Sequence, residues 1–399
     1  MELAKIGEIE GGGVDRQALT QKEFEARELC IFWANQFGLS VSHDPVGNLF
    51  FLLQGSNPEL PVVMSGSHID TQPTGGKFDG AFGVLAGIEA VRAIIEAGVS
   101  PRRGIEIVAW MNEEGSRFAP GMMGSEAFSG IRTLENIEKI TDQNGISVKE
   151  ELKELQKRFP LIDKRLLGRE VFCFVEAHIE QGPILERKAC PVGVVTGIQG
   201  VRRMRVQVTG DEAHAGTTPY ASRRDAIEDS ARAIDRLYSE FSNEENTRFT
   251  VGRLIANPNV PSVIASNVLF SIDLRHPESK KLVQAERRAR KIIAGAMNRC
   301  SHKIWCIAEA DTVMFDERIL QTIENVSKTL GIPSLRIFSG AGHDARQMAA
   351  SCPTGMIFVP SRGGVSHNIN EYTSKKDIVS GTNVLCNVLM QLANSTKLN

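Results

Sequence analysis

The sequence lacks several features that would place it in a large class of proteins. Its 399 residues carry 46 Lys and Arg against 48 Asp and Glu, a net charge of -2. That balance gives no electrostatic support for binding to nucleic acid or for a polybasic membrane contact. No run approaches the ~18 apolar residues that a membrane-spanning helix needs. The opening segment has no basic stretch followed by an apolar one, so we expect no secretory signal.

Cysteine pairs are absent, and histidine is scarce. The seven cysteines form no CxxC pair, which argues against a cysteine-type zinc site. Their odd number and scattered positions are typical of reduced thiols, so we expect a cytoplasmic protein. Only eight histidines are present, and the residues around each of them are therefore informative.

The remaining composition is that of a folded protein, with 42% apolar and 24% charged residues. Apolar strands are predicted at 61–70, 104–114 and 169–182, and a long helix at 80–98. This order favours an α/β sheet that is covered on both faces. Each of the three strands runs into polar residues, and ligands of such sheets collect at the carboxyl ends of strands.

From about residue 200 the pattern changes to strand, helix, strand, strand, helix, strand. Because the strand at 202–210 alternates polar and apolar residues, we predict a four-stranded antiparallel sheet with two helices on one face, an α+β ferredoxin-like arrangement. The predicted domains are one at 200–311 and an α/β domain formed by 1–199 and 312–399, which the first one interrupts.

Histidine or acidic residues occur in six short segments at predicted strand ends and loops. The segments are HIDTQPTGGKFDG (68–80), NEEGSRF (112–118), EAHIEQGPILE (176–186), AHAGTTPYASRRDA (213–226), SGAGHDA (339–345) and GGVSHN (363–368). Taken alone, each has an ordinary explanation, such as a core histidine for His178 or a turn histidine for His214. Taken together, they supply the imidazole and carboxylate ligands that suit zinc, manganese, nickel or cobalt.

The adjacent acids Glu113 and Glu114 can take two different roles. Side chains alternate along a strand, so the two carboxylates point in different directions. One can bind a metal ion while the other acts as a general base. A solvated acidic loop is the alternative explanation for this pair.

The six segments resemble, in the same order, those of the hydantoinase/carbamoylase amidases, which belong to the aminoacylase and carboxypeptidase-G type of two-metal peptidases. The resemblance extends over residues 43–373. It implies two divalent ions, Zn, Mn, Ni or Co. The implied ligands are His68 and His178 for one ion, Glu114 and His367 for the other, and Asp79 as a bridge.

The resemblance also implies roles for residues around the metals. Glu113 would be the general base, and His214 would stabilise the oxyanion, commonly from a partner subunit. Asp70 would hydrogen-bond His68 and fix its tautomer. The implied substrate contacts are Asn267 and Arg275 for a carboxylate and Gln181 and His343 around the ureido group.

The activity implied by the resemblance is metal-dependent hydrolysis of a linear C–N bond in a small anionic substrate, first of all an N-carbamoyl-L-amino acid. Allantoate, ureidoglycolate and N-carbamoyl-β-alanine are alternatives, as is an aminoacylase or peptidase with the same metal site. Peptidase relatives more often have a carboxylate in place of His178. The resemblance also implies that 1–199 with 312–399 is the catalytic metal-binding domain, that 200–311 is a lid and dimerisation domain, and that a homodimer forms through this lid. The pair Arg202 and Arg203 is interpreted either as a contact to a dianionic substrate or as solvated surface.

Overall fold

The computed structural model describes residues 1–398 and divides the chain into two compact units. The first unit joins Met1–Thr196 to the described part of Met314–Asn399, and the second is Gly197–Val313. The helices, in chain order, are α1 (Glu2–Lys5), α2 (Gln21–Gln36), α3 (Ala81–Glu96), α4 (Met123–Phe128), α5 (Leu134–Glu138), α6 (Val148–Arg158), α7 (Ile184–Arg187), α8 (Ala226–Phe241), α9 (Ser279–Ala296), α10 (Glu317–Thr329), α11 (Ala345–Met348) and α12 (Lys375–Asn394). The strands are β1 (Ser40–His43), β2 (Leu49–Leu53), β3 (Val62–His68), β4 (Ile105–Trp110), β5 (Asp163–Lys164), β6 (Val171–Ile179), β7 (Val192–Ile198), β8 (Gly200–Thr209), β9 (Ala213–His214), β10 (Arg248–Thr250), β11 (Leu254–Asn257), β12 (Val263–Ile264), β13 (Asn267–His276), β14 (Ser301–Ala310), β15 (Val313–Met314), β16 (Ser334–Ser339) and β17 (Thr354–Val359).

The first unit is built on a ten-stranded mixed sheet. Its strand order is β15-β7-β17-β6-β3-β4-β2-β1-β5, with β16 paired to β7. The central strands β3 and β4 are buried at every position, which is typical of strands covered on both faces. The predicted α/β fold class is confirmed.

The parallel part of this sheet determines where the functional segments meet. Strand β3 runs parallel to β4 and β6, and β6 runs parallel to β17. The carboxyl ends of these four strands therefore lie at one edge of the sheet. His68 is the last residue of β3, and His178 is the second-to-last residue of β6. Glu113 and Glu114 follow the end of β4.

The second unit is an antiparallel sheet with two helices. The strand order is β10-β13-β8-β14, with β11 also paired to β13. Buried and less buried positions alternate along β8 and β13, and their buried side chains share one core with those of α8 and α9. Both helices therefore pack on one face of the sheet.

Two predicted strands of this unit are interrupted in the structure. The segment 249–256 divides into β10 and β11 around Gly252, and both pieces pair with β13. The segment 262–276 divides into β12 and β13, because β12 pairs instead with β9, which contains His214. Periodicity along the chain did not reveal these changes of partner.

Within residues 1–398, no helix combines the length and apolar character needed to span a bilayer.

Candidate metal centre

Asp79 lies between two groups of potential metal ligands. Its Oδ1 is 3.1 Å from Nε2 of His178 and 4.0 Å from Nε2 of His68, while its Oδ2 is 3.1 Å from Nε2 of His367. Nε2 of His367 is also 3.4 Å from Oε2 of Glu114. In each group of three, His68–Asp79–His178 and Asp79–Glu114–His367, the ligand atoms lie within 4.8 Å of one another. The structure thus brings together all five side chains that the resemblance implied.

Gly80 allows the histidine of β3 to approach the start of α3. Its φ is +64°, a backbone conformation that glycine adopts without strain. A Cβ at this position would lie 2.3 Å from Cε1 of His68. The absence of a side chain is therefore required for His68 and Asp79 to come together.

Three of the seven described non-glycine residues with a positive φ lie around the same site. Asn112, Gln181 and His367 have φ values of 53°, 56° and 52°. Such conformations are uncommon for residues with a Cβ and persist where the surrounding structure imposes them. The strained positions adjoin the acidic pair, β6 and the second histidine loop, which is consistent with a functional site.

Main-chain carbonyls orient the two imidazoles of the first ligand group. Nδ1 of His68 lies 2.9 Å from the carbonyl oxygen of Asp70, and Nδ1 of His178 lies 2.9 Å from that of Ile179. Each Nδ1 therefore faces an acceptor and donates, and each Nε2 is turned toward Asp79, with Nε2 of His178 also 3.2 Å from the backbone nitrogen of Gly80. This assignment follows from the hydrogen-bond partners.

The hydrogen bond predicted between Asp70 and His68 is made by the main chain of Asp70 and not by its carboxylate. Its Oδ1 is 3.6 Å from Nδ1 of His68, beyond hydrogen-bond distance, and the main-chain oxygen of Asp70 occupies that place instead. The carboxylate accepts hydrogen bonds from the backbone N–H groups of Glu113, at 3.2 Å, and Glu114, at 3.1 Å. Asp70 therefore positions the acidic pair with its side chain and His68 with its main chain.

The electrostatics of the site favour a bound cation. Burial raises the pKa of Glu114 to about 8, and the neighbouring Asp79 adds to this rise. Burial likewise raises the pKa of Glu113 well above its ordinary value, with repulsion from Asp344 and Glu114 contributing. Burial also disfavours ionised Asp79, yet hydrogen bonds to His178 and His367 hold its pKa well below the usual range. A divalent cation would compensate this concentration of carboxylates.

The donor set itself fits such an ion. Neutral imidazole and carboxylate are the ligands preferred by zinc, manganese, nickel and cobalt. Oε1 of Glu114 is buried without a hydrogen-bond partner, although Oε2 accepts from Gln72 at 2.7 Å. A buried oxygen of this kind is costly unless a donor or a cation satisfies it.

Of the two predicted contacts to the ureido group, Gln181 lies at the ligand cluster. Its Nε2 donates to Oδ2 of Asp79 at 3.0 Å, and its own Oε1 is buried without a partner. His343 is 1% exposed, and its ring centroid lies 4.4 Å from that of His178. Its Nε2 is 3.0 Å from Oγ of Ser339. In this structure the buried ring of His343 thus packs against the ring of His178.

The remaining predicted residues belong to the second unit. His214 is exposed, and its Nδ1 accepts from the backbone N–H groups of Gly216 and Thr217 at 3.0 and 3.2 Å. Its Nε2 therefore carries the proton and can donate it in a hydrogen bond. Asn267 and Arg275 share the face of β13 that does not pack on the helices.

The arginine pair of β8 divides into two different environments. Arg202 is 3% exposed and lies near Glu286, Glu309 and Asp311, so the interpretation as solvated surface is wrong for this residue. Arg203 is half exposed and pairs with Asp273 at 2.7 Å. Contact of either arginine with a substrate stays a prediction.

Sequence reasoning assigned no role to several residues around the ligands. Gln72, Ser366 and Glu371 each hydrogen-bond a ligand residue, and Glu176 hydrogen-bonds Ser67, which precedes His68. Glu176 lies two residues before His178 and accepts from Ser67 at 2.7 Å. Glu371 follows the GGVSHN segment by three residues, and an acidic residue so near a candidate ligand was the available signal.

Comparisons with known proteins identify the family of this chain. The model of the peptidase family M20/M25/M40 matches residues 64–391. N-carbamoyl-L-amino-acid amidohydrolase from Rhizobium meliloti is 38% identical over 398 residues, with 98% of this chain and 94% of that protein covered. Allantoate amidohydrolase from Bacillus subtilis (strain 168) is 36% identical over 397 residues, with coverages of 98% and 95%. A solved amidase of the hydantoinase/carbamoylase family from Burkholderia multivorans matches with a TM-score of 0.92 and 38% identity, over 99% of this chain and 96% of that one. The chain therefore belongs to the peptidase family M20/M25/M40 and, within it, to the hydantoinase/carbamoylase amidases, which are hydrolases of non-peptide C–N bonds in linear amides.

Proposed function

We propose that this enzyme hydrolyses an N-carbamoyl-L-amino acid to the L-amino acid, carbon dioxide and ammonia. The observation that carries the proposal is the pair of ligand groups that share Asp79, with Glu113 directly beside them. Oε2 of Glu113 is 3.5 Å from Nε2 of His68, and its side chain is only 10% exposed. The name and the full-length similarity of the Rhizobium meliloti relative support the choice of substrate.

The five clustered side chains would hold two divalent ions. His68 and His178 belong to one ion, Glu114 and His367 to the other, and Asp79 has one oxygen facing each group. Bound there, divalent ions lower the pKa of a water molecule and polarise a carbonyl oxygen. Their identity is open among zinc, manganese, nickel and cobalt.

Glu113 would move the proton in this reaction. Its carboxylate accepts a proton from the attacking water and later delivers it to the leaving nitrogen. Burial and neighbouring acids raise the pKa of this group, which makes the protonated form accessible after the first transfer. The backbone hydrogen bond from Glu113 to Asp70 fixes the position of this residue.

Residues of the second unit would bind the substrate. Nε2–H of His214 donates to the developing oxyanion, since its Nδ1 already accepts two backbone hydrogen bonds. Arg275 offers a planar guanidinium to the substrate carboxylate, with Asn267 as a further donor. One edge of that guanidinium pairs with Asp273, which holds the side chain in a defined orientation.

The proposal includes three properties that the sequence predicts. These are a role of the inserted segment as lid and dimerisation domain, a homodimer formed through it, and a cytoplasmic location. The seven cysteines, all unpaired within residues 1–398, agree with reduced thiols.

A second candidate substrate is allantoate, which the similarity to the Bacillus subtilis allantoate amidohydrolase favours. One experiment distinguishes the candidates. The enzyme is stripped with a chelator, reconstituted separately with Zn²⁺, Mn²⁺, Co²⁺ or Ni²⁺, and assayed for ammonia release. The substrates are N-carbamoyl-α-amino acids, N-carbamoyl-β-alanine, allantoate and ureidoglycolate.

We expect activity only after metal addition and the highest kcat/KM on an N-carbamoyl-L-α-amino acid. A higher kcat/KM on allantoate would replace the first proposal by the second. Release of no ammonia from any ureido compound, together with cleavage of N-acetyl amino acids, would instead identify an aminoacylase. Full activity in the chelated protein would contradict the metal assignment.

A further inference from the structure

We infer that Glu371 is a positioning residue that joins the loop of Asp79 to the loop of His367 and so assembles the second ligand group. This inference rests on the proposed function only in taking these side chains as metal ligands. Glu371 itself belongs to neither ligand group. Its carboxylate lies between the two loops, and each oxygen contacts a different one.

The first oxygen of Glu371 holds the main chain that carries Asp79. Oε1 accepts from the backbone N–H of Phe78 at 2.8 Å and from that of Asp79 at 3.1 Å. Hydrogen bonds between a carboxylate and backbone N–H groups are charge-assisted and stronger than neutral ones. They fix the peptide from which the Asp79 side chain projects, and with it the direction of both Asp79 oxygens.

The second oxygen of Glu371 holds the loop that carries His367. Oε2 accepts from Oγ of Ser366 at 2.8 Å, and Ser366 directly precedes His367. His367 has a φ of 52°, a conformation that needs support from its surroundings. The backbone N–H of Glu371 also bonds to the carbonyl of Asn368 at 3.0 Å, which closes the turn between the histidine and the glutamate.

The Ser366 hydroxyl has two carboxylates within reach but only one hydrogen. It lies 3.1 Å from Oδ2 of Asp79 and 2.8 Å from Oε2 of Glu371. When that hydrogen bonds to Glu371, Oδ2 of Asp79 keeps the donor of Gln181 and retains capacity for a cation. Glu371 therefore competes with Asp79 for the single hydrogen of the Ser366 hydroxyl, and it is the nearer of the two acceptors.

The space around Glu371 indicates a fitted position. The residue is 4% exposed, and a Cβ added at Gly76 would lie 2.0 Å from its carboxyl carbon. The loop before Asp79 can thus wrap closely around the carboxylate because residue 76 has no side chain. A side chain introduced at residue 76 would therefore displace the Glu371 carboxylate while residue 371 itself stays unchanged.

The test compares metal binding by E371A, E371Q, G76A and the unchanged enzyme. Each protein is stripped of metal and titrated with Zn²⁺ against a chromophoric chelator, and the visible spectrum of its Co²⁺ form is recorded. Loss of an outer partner of metal ligands typically lowers affinity by ~10–100-fold. We expect this loss at one of two ions in E371A and G76A. E371Q should retain most of the Zn²⁺ affinity of the unchanged enzyme, because its amide oxygen still accepts hydrogen bonds from the backbone.

A buried carboxylate in the second unit provides the matched control. Asp229 is 3% exposed and accepts backbone hydrogen bonds from Asn298, Arg299 and Cys300. D229A should lower thermal stability and leave Zn²⁺ affinity and the Co²⁺ spectrum unchanged. Circular dichroism confirms that each variant is folded before its affinity is compared.

Two results would overturn the inference. One is a folded E371A with both ions bound as tightly as in the unchanged enzyme, and the other is an equal loss of affinity in D229A. If E371A fails to fold, the Zn²⁺ affinity of S366A tests the inference instead. S366A removes the link from Glu371 to the His367 loop and leaves the backbone contacts of Glu371, so unchanged binding of both ions in S366A would overturn the inference. Zn²⁺ affinity and the Co²⁺ spectrum do not depend on turnover, so they stay valid if the enzyme does not hydrolyse the proposed substrate. Absence of Zn²⁺ binding in the unchanged enzyme would contradict both proposals.

Discussion

At the scale of single residues, neighbouring side chains of similar chemistry have different environments. Glu113 and Glu114 are adjacent, and Asp70 holds the backbone N–H of both. Only Glu114 belongs to a ligand group with Asp79 and His367. Both residues lie in the bend after β4, which ends at Trp110, so the conformation of this bend and not strand alternation separates a proposed base from a proposed ligand.

Glu113→Gln should retain both metal ions but lose turnover, because an amide cannot accept the proton of the attacking water. A general base contributes typically 10²–10⁴-fold, so kcat should fall by about that factor with metal content unchanged. Metal analysis and steady-state kinetics measure the two quantities. Glu114→Gln is the paired control and should lose metal. A kcat of the Glu113 variant within a few-fold of the unchanged enzyme would refute the assignment.

His214→Ala should lower kcat with little change in KM, because the proposed donor acts on charge that develops in the transition state. Removing one oxyanion donor costs roughly 10²–10³ in kcat. His302 is also exposed and lies in the same unit, so His302→Ala is the control and should retain full activity. Equal kinetics of the two variants would exclude a role for His214.

At the scale of elements, α3 packs directly behind the two histidine strands. It begins after Gly80, and ten of its residues are buried. At Gly83 an added Cβ would lie 2.2 Å from the carbonyl oxygen of Ala177 and 2.7 Å from Cβ of Ser67. The helix can therefore approach β3 and β6 next to His68 and His178 only because this position is glycine.

Gly83→Ala should destabilise the protein, since the helix must move away from both strands. Overpacking of this kind costs typically ~1–3 kcal/mol in the free energy of unfolding. Gly295 in α9 is the control, because a Cβ there would meet nothing within 4 Å. Gly295→Ala should stabilise by roughly 0.5–1 kcal/mol through helix propensity alone. Urea denaturation measures both, and an unchanged midpoint for Gly83→Ala would contradict the packing argument.

At the scale of the whole molecule, the two units differ in how the chain forms them. The second is continuous, and its core comprises side chains of its own sheet and of α8 and α9. The first needs both ends of the chain, because β17 lies between β6 and β7 in its sheet. The net charge of -2 is consistent with recognition of a small anion by local groups instead of a basic surface.

Residues 197–313 expressed alone should fold, because their core is complete within that segment. Residues 1–196 expressed alone should not, since removal of β17 leaves a gap between β6 and β7. Circular dichroism and cooperative urea unfolding of each fragment measure the difference. A folded 1–196 fragment, or an unfolded 197–313 fragment, would contradict this division.

The local sequence predicted the features that depend on short-range pattern. Apolar runs predicted β3, β4 and β6. His68 ends β3, and the Glu113–Glu114 pair follows the end of β4. Strand-end positions in a parallel sheet converge on one edge, so the sequence could indicate a shared site. The family resemblance then supplied the individual roles, which the local pattern alone left open.

The amino-acid sequence by itself determined the types of ligand, the α/β class and the family, because these depend on residue identity and periodicity. Only the tertiary structure decided which partner each polar group has. Oε1 of Glu371 binds the backbone at Phe78, 293 positions away, and Asp70 uses its carboxylate on Glu113 instead of His68. Hydrogen bonds select partners by distances of a few tenths of an ångström, and those distances are fixed only when loops from distant parts of the chain pack together.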